Sequence, residues 1–324
     1  MNRELSLYSA HFQLTGRCNL SCVFCGQSKG MLASEACEMP IELWLKLAAE
    51  IKTMSARTPE LMLWGGEPLL YPHFDELAAE LHKQGIKLGI VTNATLLHEH
   101  IDSVAENIDT IHVSVDGSRE GHDAMRGIGV FDKLSANLKL LNGKRKGKLI
   151  FLTTVSDLNV TGISQRPFEL AELGCDEIVL QPLMYLTEKE ISAYRSFSSR
   201  MWQQDYPELA AWHREEDSGY LAELEKEIAI VRQTVYPVPV RFTPHRYPLM
   251  DDVHPCQAPW HRVHIRHDGE VGFCTDYFGF SAGNVKQNSL KEIFYGSRAE
   301  LYRKSIIENA LTTCDHCPWR RQEL

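Results

Sequence analysis

A repeated alternation of short β-rich runs with helical stretches is the feature that most limits what this chain can fold into. Runs of strand character at 11–15, 60–64, 87–92, 110–115, 148–155 and 176–181 are separated by helical patterns at 41–54, 74–84, 97–105, 131–142 and 167–173. Strands separated by helices pair in parallel through right-handed crossovers, because a tight hairpin cannot join them. Six such units predict an α/β protein built on a partial (β/α)6 barrel, with its active-site groups at the C-terminal ends of the strands. With 324 residues and 44% hydrophobic content, the chain can bury a core of that size.

Beyond the sixth strand run the pattern turns helical and polar, with helices expected at 188–196 and 220–233. The Pro-punctuated run YPVPVRFTPHRYP ends it. The final segment predicts a hairpin turning at Asp268-Gly269 and a helix over 289–307, too little for an apolar core of its own. The organisation expected is therefore a barrel over 1–182, a helical connecting and substrate-facing region over 183–255, and a small C-terminal domain of hairpin plus helix over 256–324.

Charge and hydropathy exclude whole classes of partner. The balance of 34 Lys+Arg against 43 Asp+Glu gives a net charge of −9, with no broad basic face for nucleic acid. The N-terminus has no long apolar stretch, and no later segment reaches the ~18 apolar residues of a membrane span. A cytoplasmic protein without membrane contact is expected. The nine cysteines fit that setting, because seven fall in two spaced groups, Cys18/Cys22/Cys25 and Cys256/Cys274/Cys314/Cys317. In a reducing compartment such grouping reads as metal ligation before disulfide bonding.

The first group, CNLSCVFC, directly follows the first strand run, where a loop at the barrel mouth presents three thiols together. Three thiolates on a four-iron cluster leave one iron open for chemistry, whereas structural zinc wants a fourth ligand, here His11 or Cys37. Ligand chemistry alone leaves both readings standing.

The spacing Cys18-x3-Cys22-x2-Cys25, with Phe24 before the last cysteine, resembles the signature of the radical SAM superfamily. Further pieces follow in that family's order: Gly65-Gly66-Glu67-Pro68 after the second strand, Thr92-Asn93-Ala94-Thr95 after the third, Ser114-Val115-Asp116-Gly117 after the fourth, and Arg126-Gly127. The resemblance covers about residues 8–182. It implies a [4Fe–4S] cluster on Cys18, Cys22 and Cys25 and S-adenosylmethionine held among Phe24, Gly65, Gly66, Glu67, Pro68, Asn93, Ser114 and Arg126. In that picture Gly65–Pro68 meets the methionine amine, Ser114 touches the cofactor and Arg126 lies near the methionine carboxylate. The implied chemistry is reductive cleavage to a 5′-deoxyadenosyl radical, with an electron donor such as flavodoxin or ferredoxin.

The tail resembles the auxiliary-cluster domains called SPASM and, in shortened form, Twitch. Pro259-Trp260, Asp268-Gly269, Cys274, Gly283-Asn284, Ile293-Phe294 and Cys314-x2-Cys317 occur in the expected order. It implies a second, auxiliary [4Fe–4S] cluster on Cys256, Cys274, Cys314 and Cys317. A zinc ribbon uses the same ligand types.

Four protein thiolates leave no vacant iron, so electron transfer is the natural role of that second site. The implied reaction is a net oxidation of a small polar substrate, a sugar or aminocyclitol, as in the Twitch-type dehydrogenases that the spacing resembles. A maturase of a ribosomal peptide or protein is the second enzyme reading. Its weakness is that the first cysteine comes at position 18, which leaves no room for a leader-binding domain before the barrel. A non-catalytic zinc protein is the third, and it leaves the ordered Gly-Gly-Glu-Pro and Arg-Gly elements unexplained.

Arg241, His245, Arg246, His254, His261, His264 and His267 crowd one stretch beside Cys256 and offer candidate bases, although each alone suits a solvated or locally hydrogen-bonded role. Cys37 and Cys175 fall outside both groups. A thiol can donate a hydrogen atom, but a lone cysteine is more often a small buried hydrophobe, and Cys175 reads as structural.

Overall fold

A computed structural model gives the architecture and describes residues 4–26, 38–243, 256–275, 279–308, 310–317 and 320. The six expected strands are present as β1 (Ser9–Thr15), β2 (Glu60–Gly65), β3 (Lys87–Thr92), β4 (Thr110–Ser114), β5 (Lys148–Val155) and β6 (Glu177–Pro182), each parallel to the next. Their crossovers carry α1 (Ile41–Met54), α2 (Phe74–Lys83), α3 (Ile101–Asn107), α4 (Arg119–Arg126), α5 (Val130–Asn142) and α6 (Arg166–Ala171).

The sheet is wider than six strands. β7 (Val240–Phe242) extends it beyond β6 in parallel, and β8 (Arg262–Ile265) pairs in parallel with β1 at the other side. β9 (Glu270–Gly272) and β10 (Gly283–Asn284) continue from β8 antiparallel, giving one ten-stranded mixed sheet that does not close into a barrel. The hairpin of the tail is thus stitched into the barrel sheet through β1. β7 was not foreseen, because Pro237 and Pro239 break its pattern. Proline tolerates only an edge position in a sheet, and β7 stands at the end of this one.

The remaining helices are α7 (Glu188–Trp202), α8 (Ser218–Gln233), α9 (Ala258–His261), α10 (Leu290–Tyr295) and α11 (Ser297–Ile307). α7 and α10 start with reciprocal capping boxes, Thr187 with Glu190 and Ser289 with Glu292, which satisfy otherwise orphaned N–H groups. The helix expected over 289–307 is broken at Gly296, whose extended backbone separates α10 from α11. The stretch expected as a helix over 97–105 opens as a short 3-10 turn, Leu97–Glu99, before α3.

Strand side chains alternate between the helical layer and the sheet's inner face. Phe12 and Leu14 of β1 are fully buried, and Phe12 meets Trp44 of α1 at 4.8 Å between ring centroids. Trp44, Leu47, Ala48 and Ile51 form the buried stripe of α1 at helical spacing. No helix among the described residues is long and apolar enough to cross a membrane.

Candidate active site

The loop after β1 carries Cys18, Cys22 and Cys25, and two close backbone approaches fix its start. Gly66 N–H donates to Thr15 O at 2.9 Å, and Glu67 N–H donates to Arg17 O at 2.8 Å. A Cβ on Gly66 would lie 2.0 Å from Arg17 O, and one on Gly65 would lie 2.4 Å from Thr15 O, so only glycine lets these backbones meet. The Gly-Gly pair therefore anchors the cysteine loop.

Glu67 ties that anchor to the next strand. Its buried carboxylate accepts Thr92 Oγ1 at 2.7 Å, the Asn93 N–H at 2.8 Å and the Leu69 N–H at 3.3 Å. Burial pushes its pKa up to about 7 against those three donors. Pro68 opens the short 3-10 turn that Glu67 caps. Asn93 Nδ2 donates to Asn19 Oδ1 at 2.9 Å and lies 4.0 Å from Cys18 Sγ, while Asn19 Nδ2 donates to Thr95 Oγ1 at 2.8 Å. Buried Asn137 on α5 supports the same loop through the Ala94 and Thr95 carbonyls.

On the other flank Arg126, at the end of α4, grips Asp116 with Nε to Oδ2 at 2.5 Å and Nη2 to Oδ1 at 3.3 Å. Both side chains are almost wholly buried. The guanidinium stands 5.2 Å from the Phe24 ring centroid, and its Nη1 is 4.0 Å from Cys22 Sγ. The Val23 N–H donates to Met125 O at 3.0 Å, so the last turn of α4 holds the cysteine loop by backbone and side chain together. Ser114 is the half-buried last residue of β4, in register with Leu152 of β5.

The structure thus gathers every residue expected at the first site around the C-terminal ends of β1 to β4. It adds contacts the sequence did not announce: Arg126 is engaged with Asp116, and Glu67 with the loop after β3. Burial pushes the Cys22 thiol up to about 11 and raises Cys18 as well, so cluster ligation would displace protons from both.

In the tail, Cys256 precedes α9, Cys274 follows β9, and Cys314 and Cys317 lie on and just after the 3-10 turn Thr312–His316. Cys314 and Cys256 line a small pocket with Ser305, Ile306, Leu311 and Arg320, and burial pushes the Cys314 thiol up to about 12. Two buried tyrosines, Tyr194 of α7 and Tyr302 of α11, interact electrostatically with Cys274 and Cys314, and burial raises both phenols well above their ordinary value. Trp202, which meets both rings, forms an aromatic cluster with Phe273 and Phe280 around Tyr302. Sequence reasoning missed these tyrosines, whose signal was their place on the buried stripes of α7 and α11. Among the described residues, no three His, Cys, Asp or Glu side chains converge closely enough to hold a single metal ion. Groups of three and four soft thiols fit an iron–sulfur cluster, whose several irons spread their ligands more widely.

The histidine-rich segment divides. His245, Arg246 and His254 lie outside the described residues, as does Cys37. Arg241 pairs with Glu177, the first residue of β6 and so at the far end of that strand from the cysteine loop. His261 stacks on Tyr8 at 4.8 Å, His264 meets Trp64 edge-on at 5.0 Å, and His267 is buried. Burial lowers all three, His261 to about 4 and His264 to about 3. Cys175 is buried in the core cluster.

One cleft of about 320 Å³ opens against the cysteine loop. Val23 and Phe24 form one wall, Ser156, Asp157 and Leu158 after β5 a second, and Leu183 to Tyr185 with Ala211 to Arg214 the third. The segment after β6 thus shares this cleft with the cysteine loop.

Two known families match the sequence in these regions. Residues 12–161 match the Radical SAM superfamily, and residues 256–318 match the SPASM iron-sulfur cluster-binding domain. The chain belongs to the radical SAM superfamily, as an enzyme of that class carrying a C-terminal SPASM domain. It is 29% identical over 325 residues to the AdoMet-dependent heme synthase of Methanosarcina barkeri, covering 96% of this chain and 88% of that one. A second relative, the Fe-coproporphyrin III synthase of the same organism, is 31% identical over 47% of this chain and 38% of its own length. The fold resembles that of Streptococcus suis SuiB bound to S-adenosylmethionine, with a TM-score of 0.67 at 16% identity, covering 97% of this chain and 72% of that one.

Proposed function

We propose that this protein is a radical SAM oxidoreductase that removes a hydrogen atom from a carboxylated tetrapyrrole and completes a net two-electron oxidation. In this reading Cys18, Cys22 and Cys25 hold the [4Fe–4S] cluster at which S-adenosylmethionine is cleaved. Cys256, Cys274, Cys314 and Cys317 hold one auxiliary [4Fe–4S] cluster that takes the second electron, and the substrate's proton leaves to solvent or a base. The observation that carries the reading is the cleft against Val23 and Phe24, open beside the cysteine loop.

When bound, the first cluster and S-adenosylmethionine supply a carbon radical able to take a hydrogen atom from an unactivated C–H bond. The chain's own contribution is placement. The Arg126–Asp116 pair and the Glu67 network hold the cysteine loop from two sides, and the aromatic residues of the cleft offer a surface for the substrate beside it. Residues 1–182 then serve cofactor binding, 183–255 face the substrate and 256–324 handle electrons. A flavodoxin or ferredoxin of the reducing cytoplasm would supply the first electron.

Two lines support a tetrapyrrole over the aminocyclitol that the tail spacing suggests. Phe24, Leu158, Leu183, Met184, Tyr185 and Trp212 give the cleft an apolar and aromatic side, and Ser156, Asp157, His213 and Arg214 a polar one, a combination that suits the flat face and carboxylate rim of such a macrocycle. Likeness to a protein named a heme synthase also runs through almost the whole chain, tail included. A cleft of this size takes one edge of a macrocycle and a side chain, with Val23 and Leu158, each 55% exposed, beneath the remainder.

The test is anaerobic reconstitution followed by incubation with S-adenosylmethionine, dithionite and iron coproporphyrin III. Expected are about eight irons per chain, falling to about four when Cys18, Cys22 and Cys25 are all alanine, and 5′-deoxyadenosine formation stimulated by the porphyrin together with an oxidised porphyrin product. Iron content unchanged by the triple substitution, or zinc in its place, would remove the cluster assignment. 5′-Deoxyadenosine that does not respond to the porphyrin would remove the substrate.

A further inference from the structure

The mouth of the cleft is spanned by an ion pair that the chemistry above leaves unused. Arg214 reaches from the segment after β6 to Asp157, which follows β5, so the pair links two walls of the cleft. The backbone around Arg214 is pinned: the Leu186 N–H donates to Trp212 O at 2.9 Å, and the Arg214 N–H donates to Leu186 O at 3.0 Å. This places the base of the arginine side chain, while the side chain as a whole is 29% exposed.

We infer that Arg214 is the residue that recognises a substrate carboxylate at this cleft, with Asp157 as its resting partner; the inference rests on the tetrapyrrole reading. The other lining residues that can carry charge are Asp157 and His213, and His213 is turned to Glu215 with Nε2 to Oε1 at 3.0 Å. An anionic side chain entering the cleft therefore finds one permanent cation, on a rigid base, at the mouth.

Exchange of partners costs little because a partly exposed ion pair is screened by water. A guanidinium also carries five donors, enough to keep Asp157 on one edge and take a carboxylate on the other. The macrocycle edge then lies between Phe24 on one wall and Tyr185 and Trp212 on the other, with its carboxylate fixed and the adjoining carbons beside the cysteine loop. The negative charge of Asp157 disfavours any anion that does not reach Arg214, which makes the pair a filter for carboxylate position as well as a clamp.

The test is absorbance titration of the reconstituted protein with iron coproporphyrin III and, separately, with its tetramethyl ester, without reductant. Arg214→Ala should weaken binding of the acid by about tenfold or more and leave the ester unchanged. Asp157→Asn should tighten the acid, an increase that structural damage would not produce. Equal acid binding by Arg214→Ala and wild type would overturn the inference while leaving the tetrapyrrole reading intact, and so would an equal loss for acid and ester. Binding of neither compound by wild type would overturn both.

Discussion

At the residue scale the decisive interactions are buried charges that hold the cysteine loop. Arg126 and Asp116 neutralise one another where water scarcely reaches, so removing one partner leaves an uncompensated charge in the interior. Arg126→Ala should cost about 3–5 kcal/mol of stability. Replacing both residues with apolar side chains of similar volume should recover much of that loss, and urea unfolding of the three variants checks it. A double variant as unstable as the single would show that the arginine matters through something other than its charge. Glu67 works differently, as an acceptor of three donors from two loops. Glu67→Gln keeps the shape but turns an amide N–H₂ toward one of those donors, and an unpaired buried donor costs about 1–3 kcal/mol. Lower iron retention after gel filtration should accompany that loss.

At the scale of elements, the sheet reached further than its pattern. The six strand runs were legible because β-branched and aliphatic residues alternate with amphipathic helices, and every cysteine of both groups was visible from spacing. α4 was not legible: its REGHDAMR sequence is polar, and only His122 and Met125 are buried. The pairing of β8 with β1 was also hidden, since no local signal says that a C-terminal hairpin will add to the first strand some 250 residues earlier. Nor could spacing show that Arg126 would meet Asp116, because that contact depends on where α4 returns to the sheet. The β1–β8 pairing has a measurable consequence. Ile265, fully buried on β8, should cost about 2–5 kcal/mol when changed to alanine. Unfolding should stay a single transition in tryptophan fluorescence and circular dichroism, because the tail and barrel share one sheet. Separation into two transitions would show that the tail melts independently.

At the scale of the whole molecule, buried titratable groups set how the fold responds to acid. His122 and His264 are almost completely buried, and burial lowers them to about 4 and about 3. The unfolded chain binds a proton at each with a pKa of about 6.5, so their contribution is complete above that pH and is lost as pH falls toward the folded values. Glu67 acts in the opposite sense. Its folded pKa of about 7 lies above the ordinary carboxylate value, so between about 4.5 and 7 the folded state holds the extra proton and this group loses stability as pH rises. Burial lowers His11, His112, His261 and His267 in the same sense, so the histidines outnumber the one raised carboxylate and unfolding takes up protons in that window, which favours the fold at higher pH. Urea unfolding at pH 7, 6 and 5 should therefore show declining stability. His264→Leu should flatten the decline and Glu67→Gln should steepen it. A steeper slope for the histidine variant would mean that His264 is protonated in the folded protein, and its edge-on contact with Trp64 would then be read as a cation meeting a ring.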